Sequence, residues 1–371
     1  MSVKFSIQSA AFAGALRQVQ STAPGRGAVT IIQNVLIEAD AEAGQIALTT
    51  TDLEITVRTV VAANVEVGGA TTLSVEQLAR MVAKVGDATL EFDVDDSDRA
   101  VIKAGRRATR LTGLAAVDFP QVPKGEDDAF EYVVPQIVLR EMFRKTAYAA
   151  SKEMERKTLA GVLMAFENGM LTLVATDGRR IAKVEHEVEF PQSAAREIVL
   201  PQKVVGEIQK LLGSEGEVRI KAETNRVVFT LGGTMVWSKL VADVYPNYKA
   251  VIPTNLGEAV AFNREELIKS LEYVSALVVN DASSVRLTVG ENEAVLSSNI
   301  RSSDASEAKD EIEVKYSGVP VVINFKPEYL LQALKVIDDD EVQLAFTDTF
   351  RAARLTCSVP FIYVFMALRM D

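Results

Sequence analysis

Three times along its 371 residues this chain repeats one pattern, at a period of about 125 residues, and no other feature constrains the fold as much. That period is too long for a solenoid and suits a domain. Each copy opens with a short apolar strand running into an amphipathic helix: residues 5–7 then 11–19, 132–134 then 138–147, and 259–262 then 265–274. Further on, each copy repeats the device, with strand and helix at 72–74 and 75–85, at 198–201 and 203–212, and at 321–324 and 327–337. Each unit is thus itself nearly doubled.

Between the helices polarity alternates with a period of two, broken by turn signals. Residues 163–166 and 171–174 flank Asn168-Gly169, a strong hairpin signal. Residues 218–221 and 227–230 flank Asn225, and 285–289 and 294–297 flank Asn292. Antiparallel meanders with helices laid on one face give an α+β unit. Asp118-Phe119-Pro120 closes the first unit and Val244-Tyr245-Pro246 the second, and proline fixes the backbone at both exits. The expected domains are 1–127, 128–253 and 254–371.

Little in the chain suits catalysis. Cys357 is the only cysteine and His186 the only histidine, so an internal disulfide is excluded and no metal-ligand spacing is formed. His186 lies in an alternating stretch, where a solvated strand histidine is expected before a general base. No cofactor and no metal are expected. No apolar run approaches the roughly 20 residues that span a bilayer, and no charged and apolar leader opens the chain. The expected location is the cytoplasm, with no membrane partner.

The net charge of −11 argues against nucleic acid, but its distribution points elsewhere. The six predicted helices together carry +5, through residues such as Arg17, Arg80, Lys84, Arg140, Arg144 and Lys210, so basic helices sit on an acidic body. Solvated helix faces would look like this. So would a helical layer facing polyphosphate. A different class also fits: a metal-dependent phosphoryl-transfer enzyme using Asp52, Asp177 and Asp348, each placed after a threonine. An acidic scaffold with no DNA role is a third reading.

The ordered landmarks Thr50-Thr51-Asp52-Leu53-Glu54, Asp118-Phe119-Pro120, Ala175-Thr176-Asp177-Gly178-Arg179-Arg180, Ser238-Lys239-Leu240, Tyr245-Pro246-Asn247-Tyr248, Tyr316-Ser317-Gly318 and Tyr363-Val364-Phe365-Met366 resemble the bacterial beta sliding clamp family from end to end. The resemblance implies a DNA clamp fold of three repeated two-helix, antiparallel-sheet domains in a ring-forming head-to-tail homodimer, with twelve helices lining the hole. Twelve helices spaced about 10 Å apart give a circumference of roughly 120 Å and a clear bore of about 28 Å, enough for duplex DNA. It further implies a processivity factor without catalysis, partnered by double-stranded DNA in a sequence-independent way. Its protein partners would be the replicative polymerase catalytic subunit, the clamp loader, and other polymerases and repair proteins that carry clamp-binding peptides.

By the same resemblance, a peptide groove falls to Leu159, Thr176, Gly178, Arg179, Arg180, Ile181, Pro246, Val251, Val364, Met366 and Leu368. DNA-facing cations fall to Arg26, Arg80, Lys84, Arg140, Arg144, Arg156, Lys203 and Lys210. Ring closure falls to a basic edge of Arg106, Arg107, Arg110 and Leu111 against Leu277, Val278, Asp304, Glu307 and Asp310 of a second chain. The chain departs from the family at the Met366-Ala367-Leu368-Arg369 ending, at Arg156-Lys157-Thr158-Leu159-Ala160-Gly161, at Thr30 and at Ala250. Most of these touch the groove or a DNA-facing loop.

Overall fold

The protein, as a computed structural model, is described at residues 2–25, 29–123, 129–153, 155–277, 284–299, 307–346 and 352–368. In the first repeat β1 (Val3–Gln8) leads into α1 (Ser9–Val19). Then come β2 (Asn34–Asp40), β3 (Gln45–Thr51), β4 (Ile55–Ala62), β5 (Asn64–Val67), β6 (Gly69–Ser74), α2 (Val75–Val85), β7 (Thr89–Val94), β8 (Arg99–Ala104) and β9 (Arg107–Thr112). The second repeat holds β10 (Glu131–Pro135), α3 (Gln136–Thr146), β11 (Gly161–Glu167), β12 (Met170–Thr176), β13 (Arg180–Glu187), β14 (Arg196–Pro201), α4 (Gln202–Leu211), β15 (Glu217–Ala222), β16 (Arg226–Leu231) and β17 (Thr234–Lys239). The third holds β18 (Val260–Asn263), α5 (Arg264–Ser275), β19 (Ser284–Gly290), β20 (Glu293–Asn299), β21 (Lys309–Glu313), β22 (Val321–Phe325), α6 (Pro327–Leu334), β23 (Glu341–Phe346), β24 (Ala352–Thr356) and β25 (Phe361–Met366).

The helices form where the 3.6-residue period and the caps agree. Ser74 caps α2 by accepting from the Gln77 N–H, and Gly86 ends it at φ +77°. Asn263 caps α5 through the Glu266 N–H, with Glu265 and Glu266 complementing the dipole of the first turn. α6 starts at Pro327 but stops at Leu334, short of the expected residue 337. The run Asp338-Asp339-Asp340 follows, and carboxylates are disfavoured at the negative end of a helix. The hairpin between β11 and β12 turns through Asn168 at φ +54° and Gly169 at φ +75°, the left-handed pair a tight antiparallel turn needs.

Compact packing does not follow the repeats. One unit comprises Met1–Ile137 with Gly206–Leu240, and the other Val138–Val205 with Val241–Asp371. The first contains a sheet ordered β5-β1-β7-β8-β9 and an eight-stranded sheet ordered β10-β15-β16-β17-β4-β3-β2-β6. The second contains an eight-stranded sheet that reads β18-β23-β24-β25-β13-β12-β11-β14, and a four-stranded sheet ordered β21-β20-β19-β22. Adjacent repeats are therefore fused by continuous backbone pairing. β17 meets β4 from Thr234↔Thr59 to Ser238↔Ile55, and β25 meets β13 from Phe365↔Arg180 to Phe361↔Val184.

Side chains lock each seam. At the first, the Thr59 and Thr234 hydroxyls lie 2.9 Å apart, and each reaches the Gln18 side-chain oxygen of α1, at 2.7 and 2.9 Å. The core beneath is apolar: Phe12, Leu16 and Val19 of α1 are buried, and Phe5 stacks on Phe92 at 4.5 Å between ring centroids. At the second, the Tyr363 hydroxyl donates to the Tyr329 carbonyl of α6 at 2.8 Å. Buried polar groups satisfied in this way fix the register instead of weakening the core.

Candidate functional site

One turn is built twice. In the first repeat the Thr51 hydroxyl donates to the Ile55 carbonyl at 2.9 Å and accepts from the Leu53 N–H, while the Asp52 carboxylate accepts from Glu54 and Ile55. In the second the Thr176 hydroxyl donates to the Arg180 carbonyl at 2.6 Å and accepts from the Gly178 N–H, while Asp177 accepts from Arg179 and Arg180. Both turns need a left-handed residue, supplied by Leu53 at φ +76° and Gly178 at φ +86°. Asp52 and Asp177 thus serve local turns, which removes the convergence that the phosphoryl-transfer reading required. Asp348 lies outside the described residues.

The second turn stands at the edge of an apolar cluster on one face of the sheet, where the expected groove falls. Pairing registers Thr176 against Ile181, Ile181 against Val364 and Val364 against Arg354, so these four side chains form one row across β12, β13, β25 and β24. Ile181 and Val364 are buried and belong to a cluster with Leu163, Val174, Ala352, Tyr245 and Tyr248. The chain after β17 lies over this face: the Tyr245 hydroxyl donates to the Val174 carbonyl at 3.3 Å, and burial pushes the Tyr248 hydroxyl up to about 12. Val251, 58% exposed, and Met366, 46% exposed, stand open above this floor. Pro246 is exposed, and Leu159 and Leu368 are half-buried.

Arg180 ties the groove to its support. Its guanidinium is buried, donates to Asp177 at 3.1 Å, to the Tyr148 carbonyl at 2.9 Å and to the Gln332 side chain, and sits 5.0 Å from the Tyr329 ring centroid. Arg179 instead is exposed beside the Tyr329 hydroxyl, and its carbonyl accepts from the Met366 N–H at 2.9 Å. The Leu368 N–H donates to the Asn324 carbonyl at 2.7 Å, so residues 366–368 are held at both ends. All eleven expected groove residues therefore lie in one compact unit. Sequence reasoning missed Tyr148, Tyr329, Gln332 and Arg354, which enter through sheet register and helix packing, with no local motif to announce them.

The expected DNA-facing cations are more compromised than their count suggests. Arg80 pairs with Glu76, Lys210 with Glu207 at 2.8 Å and Arg156 with Glu153 at 3.0 Å, each within a turn of chain. Arg144 is held by Glu141 at 2.5 Å and Asp338 at 2.6 Å, and Arg140 lies 4.0 Å from Glu141. Lys84 and Lys203 are exposed. Arg26 lies outside the described residues.

The two expected closure surfaces are both sheet edges. β9 ends its sheet and carries Arg107, Arg110 and Leu111, with Arg106 in the turn before it. The Arg107 guanidinium caps α2 through the carbonyls of Lys84 and Val85, at 3.0 and 3.3 Å. Arg107, Lys84 and Arg80 rim one pocket floored by Val85, Leu90 and Ile102. β21 ends the four-stranded sheet and is acidic, with Asp310, Glu311 and Glu313, and Glu307 is exposed just before it. Leu277 is 36% exposed beyond α5; Val278 and Asp304 lie outside the described residues.

Three sheet-and-two-helix domains, fused edge to edge with a shared strand order, define a protein of the DNA clamp fold. Residues 3–123, 133–247 and 249–364 match the N-terminal, central and C-terminal domains of the DNA polymerase III beta subunit. The beta sliding clamp of Chlamydia pneumoniae is 30% identical over 368 residues, covering 99% of both chains. The crystal structure of the Pseudomonas aeruginosa beta subunit superposes with a TM-score of 0.94 at 27% identity, covering 99% of this chain and 100% of that one. A Bartonella birtlesii sliding clamp bound to griselimycin gives 0.93 at 28% identity, with both chains fully covered. The chain belongs to the DNA polymerase III beta subunit family, the beta sliding clamps, which are non-catalytic processivity factors of DNA replication.

Proposed function

We propose that two copies of this chain close head to tail into a ring around duplex DNA in the cytoplasm, tethering the replicative polymerase and other proteins that dock in the Ile181–Val364 groove. The observation that carries the proposal is strand order. At both internal seams the last strand of one repeat meets the fourth strand of another, β17 with β4 and β25 with β13. The same rule applied once more pairs β9 with β21 of a second chain. With β5 as an extra strand outside β1, that contact would give β1-β7-β8-β9-β21-β20-β19-β22, the order both eight-stranded sheets already have. A basic edge then meets an acidic one, and two such contacts close the assembly. The repeats act as domains 1–127, 128–253 and 254–371.

Retention is topological on this reading. A few helix cations, most already paired, screen phosphate without choosing a register, so the ring slides. The clamp loader opens the ring, and polymerases and repair proteins present peptides to the groove, where Val251 and Met366 receive large apolar side chains. Loading the protein onto nicked circular plasmid and then linearising it tests the proposal. Retention on the circle and loss from the linear form support it; equal retention on both means that contact, not enclosure, holds the DNA.

A further inference from the structure

Resting on the groove reading above, we propose that Arg354 makes the groove selective for peptides bearing a carboxylate one or two residues from the docked apolar side chain. Strand alternation puts Ala352, Arg354 and Thr356 on the groove face, and Arg354 is registered directly against Val364 of the floor. Ala352 and Val364 are both members of the buried floor cluster, so the half-buried guanidinium rises from within the apolar surface.

Its charge is not balanced locally. Among the described residues no carboxylate lies in ion-pair range of Arg354, whereas Lys183, one row along the same face, is paired with Glu185 at 2.8 Å. Among the described residues the one acceptor it reaches is the Pro253 carbonyl, 3.4 Å from one terminal nitrogen, and its Nε–H is shielded from solvent with no partner among them. A buried donor left unsatisfied is costly, and a guanidinium binds carboxylate better than any neutral acceptor. Cross-strand neighbours stand about 5 Å apart, so an extended ligand with an apolar side chain over Val364 brings a carboxylate one or two residues away within reach. A side-chain or a C-terminal carboxylate would satisfy the same chemistry.

The test measures binding of labelled octapeptides with two large apolar residues to the full-length protein by fluorescence anisotropy. Glutamate is placed beside the apolar pair and compared with glutamine, and a peptide ending there is compared as free acid and amide. The expected result is about tenfold tighter binding of the acidic member of one pair. Which pair discriminates identifies the source of the carboxylate. Arg354→Gln should reduce that ratio to about one, and Arg354→Lys should keep part of it. If Arg354→Gln weakens acidic and neutral peptides equally, Arg354 only supports the chain at Pro253 and the inference is overturned, with the groove intact. If no apolar peptide binds the wild type, the groove reading itself fails.

Discussion

The Arg180 Nε donates to the Asp177 carboxylate at 3.1 Å, and this pair stands directly behind the turn that carries Gly178. Because the guanidinium also reaches the Tyr148 carbonyl and Gln332 of α6, it joins the second repeat's turn to the third repeat's helix. Arg180→Ala would leave one Asp177 carboxylate oxygen and two neutral acceptors without the guanidinium donor. The expected loss is about 3 kcal/mol in urea unfolding, together with weaker peptide binding. A change under about 0.5 kcal/mol would show that the cluster contributes no net stability.

The twin turns predict opposite responses. Gly178 is at φ +86° with nothing within 4 Å of an added Cβ, so Gly178→Ala meets only the backbone penalty, about 1 kcal/mol. Leu53 bears that penalty already at φ +76°, and Leu53→Gly should stabilise by roughly 0.5–1 kcal/mol. Paired denaturation curves check both signs; a destabilised Leu53→Gly would mean that its side chain contributes more than the strain costs.

Leu277 is the apolar element next to the acidic closure surface, and the β9 pocket offers an apolar floor with a cationic rim. Leu277→Asp should therefore convert a two-chain particle into a one-chain particle in sedimentation velocity, with the unfolding of each chain little changed. Arg110→Glu should act the same way, more weakly at high salt. A two-chain mass that survives both substitutions would place the interface elsewhere.

Acid should weaken the third repeat through Asp339. The Ser358 hydroxyl and N–H hold its carboxyl below the usual carboxylate range, with the N–H donating at 2.6 Å. Since the folded value lies under the unfolded one, the contribution is fully present above about pH 4 and is lost as pH falls through the folded value. Comparing urea midpoints at pH 7 and pH 3, Asp339→Asn should be the less acid-sensitive protein. Parallel curves would exclude a role for this carboxyl.

Much of the fold was legible because its signals are local. The six helices follow from 3.6-residue apolar spacing, and the β11–β12 hairpin from Asn168-Gly169. The groove was less legible. Thr176 and Gly178 announce a turn, yet nothing near Arg354 or Tyr329 says that either stands by Ile181. Paired registers across β13, β25 and β24 decide that, and such pairing depends on chain segments far apart in sequence. Ion pairing was also hidden: Arg144 reads as a free helix cation until Asp338 is found 2.6 Å away.

By itself the sequence determined the threefold repeat, the kinds of element in each copy and the poverty of catalytic groups, because periodicity, turn chemistry and residue type are properties of neighbours along the chain. Only the tertiary structure decided that compact units cut across the repeats, that β17 joins β4 and β25 joins β13, and that β9 and β21 remain as edges. The physical reason is that a strand's hydrogen-bonding groups carry no address. Which partner satisfies them is settled when the two faces of the sheet are packed, and not before.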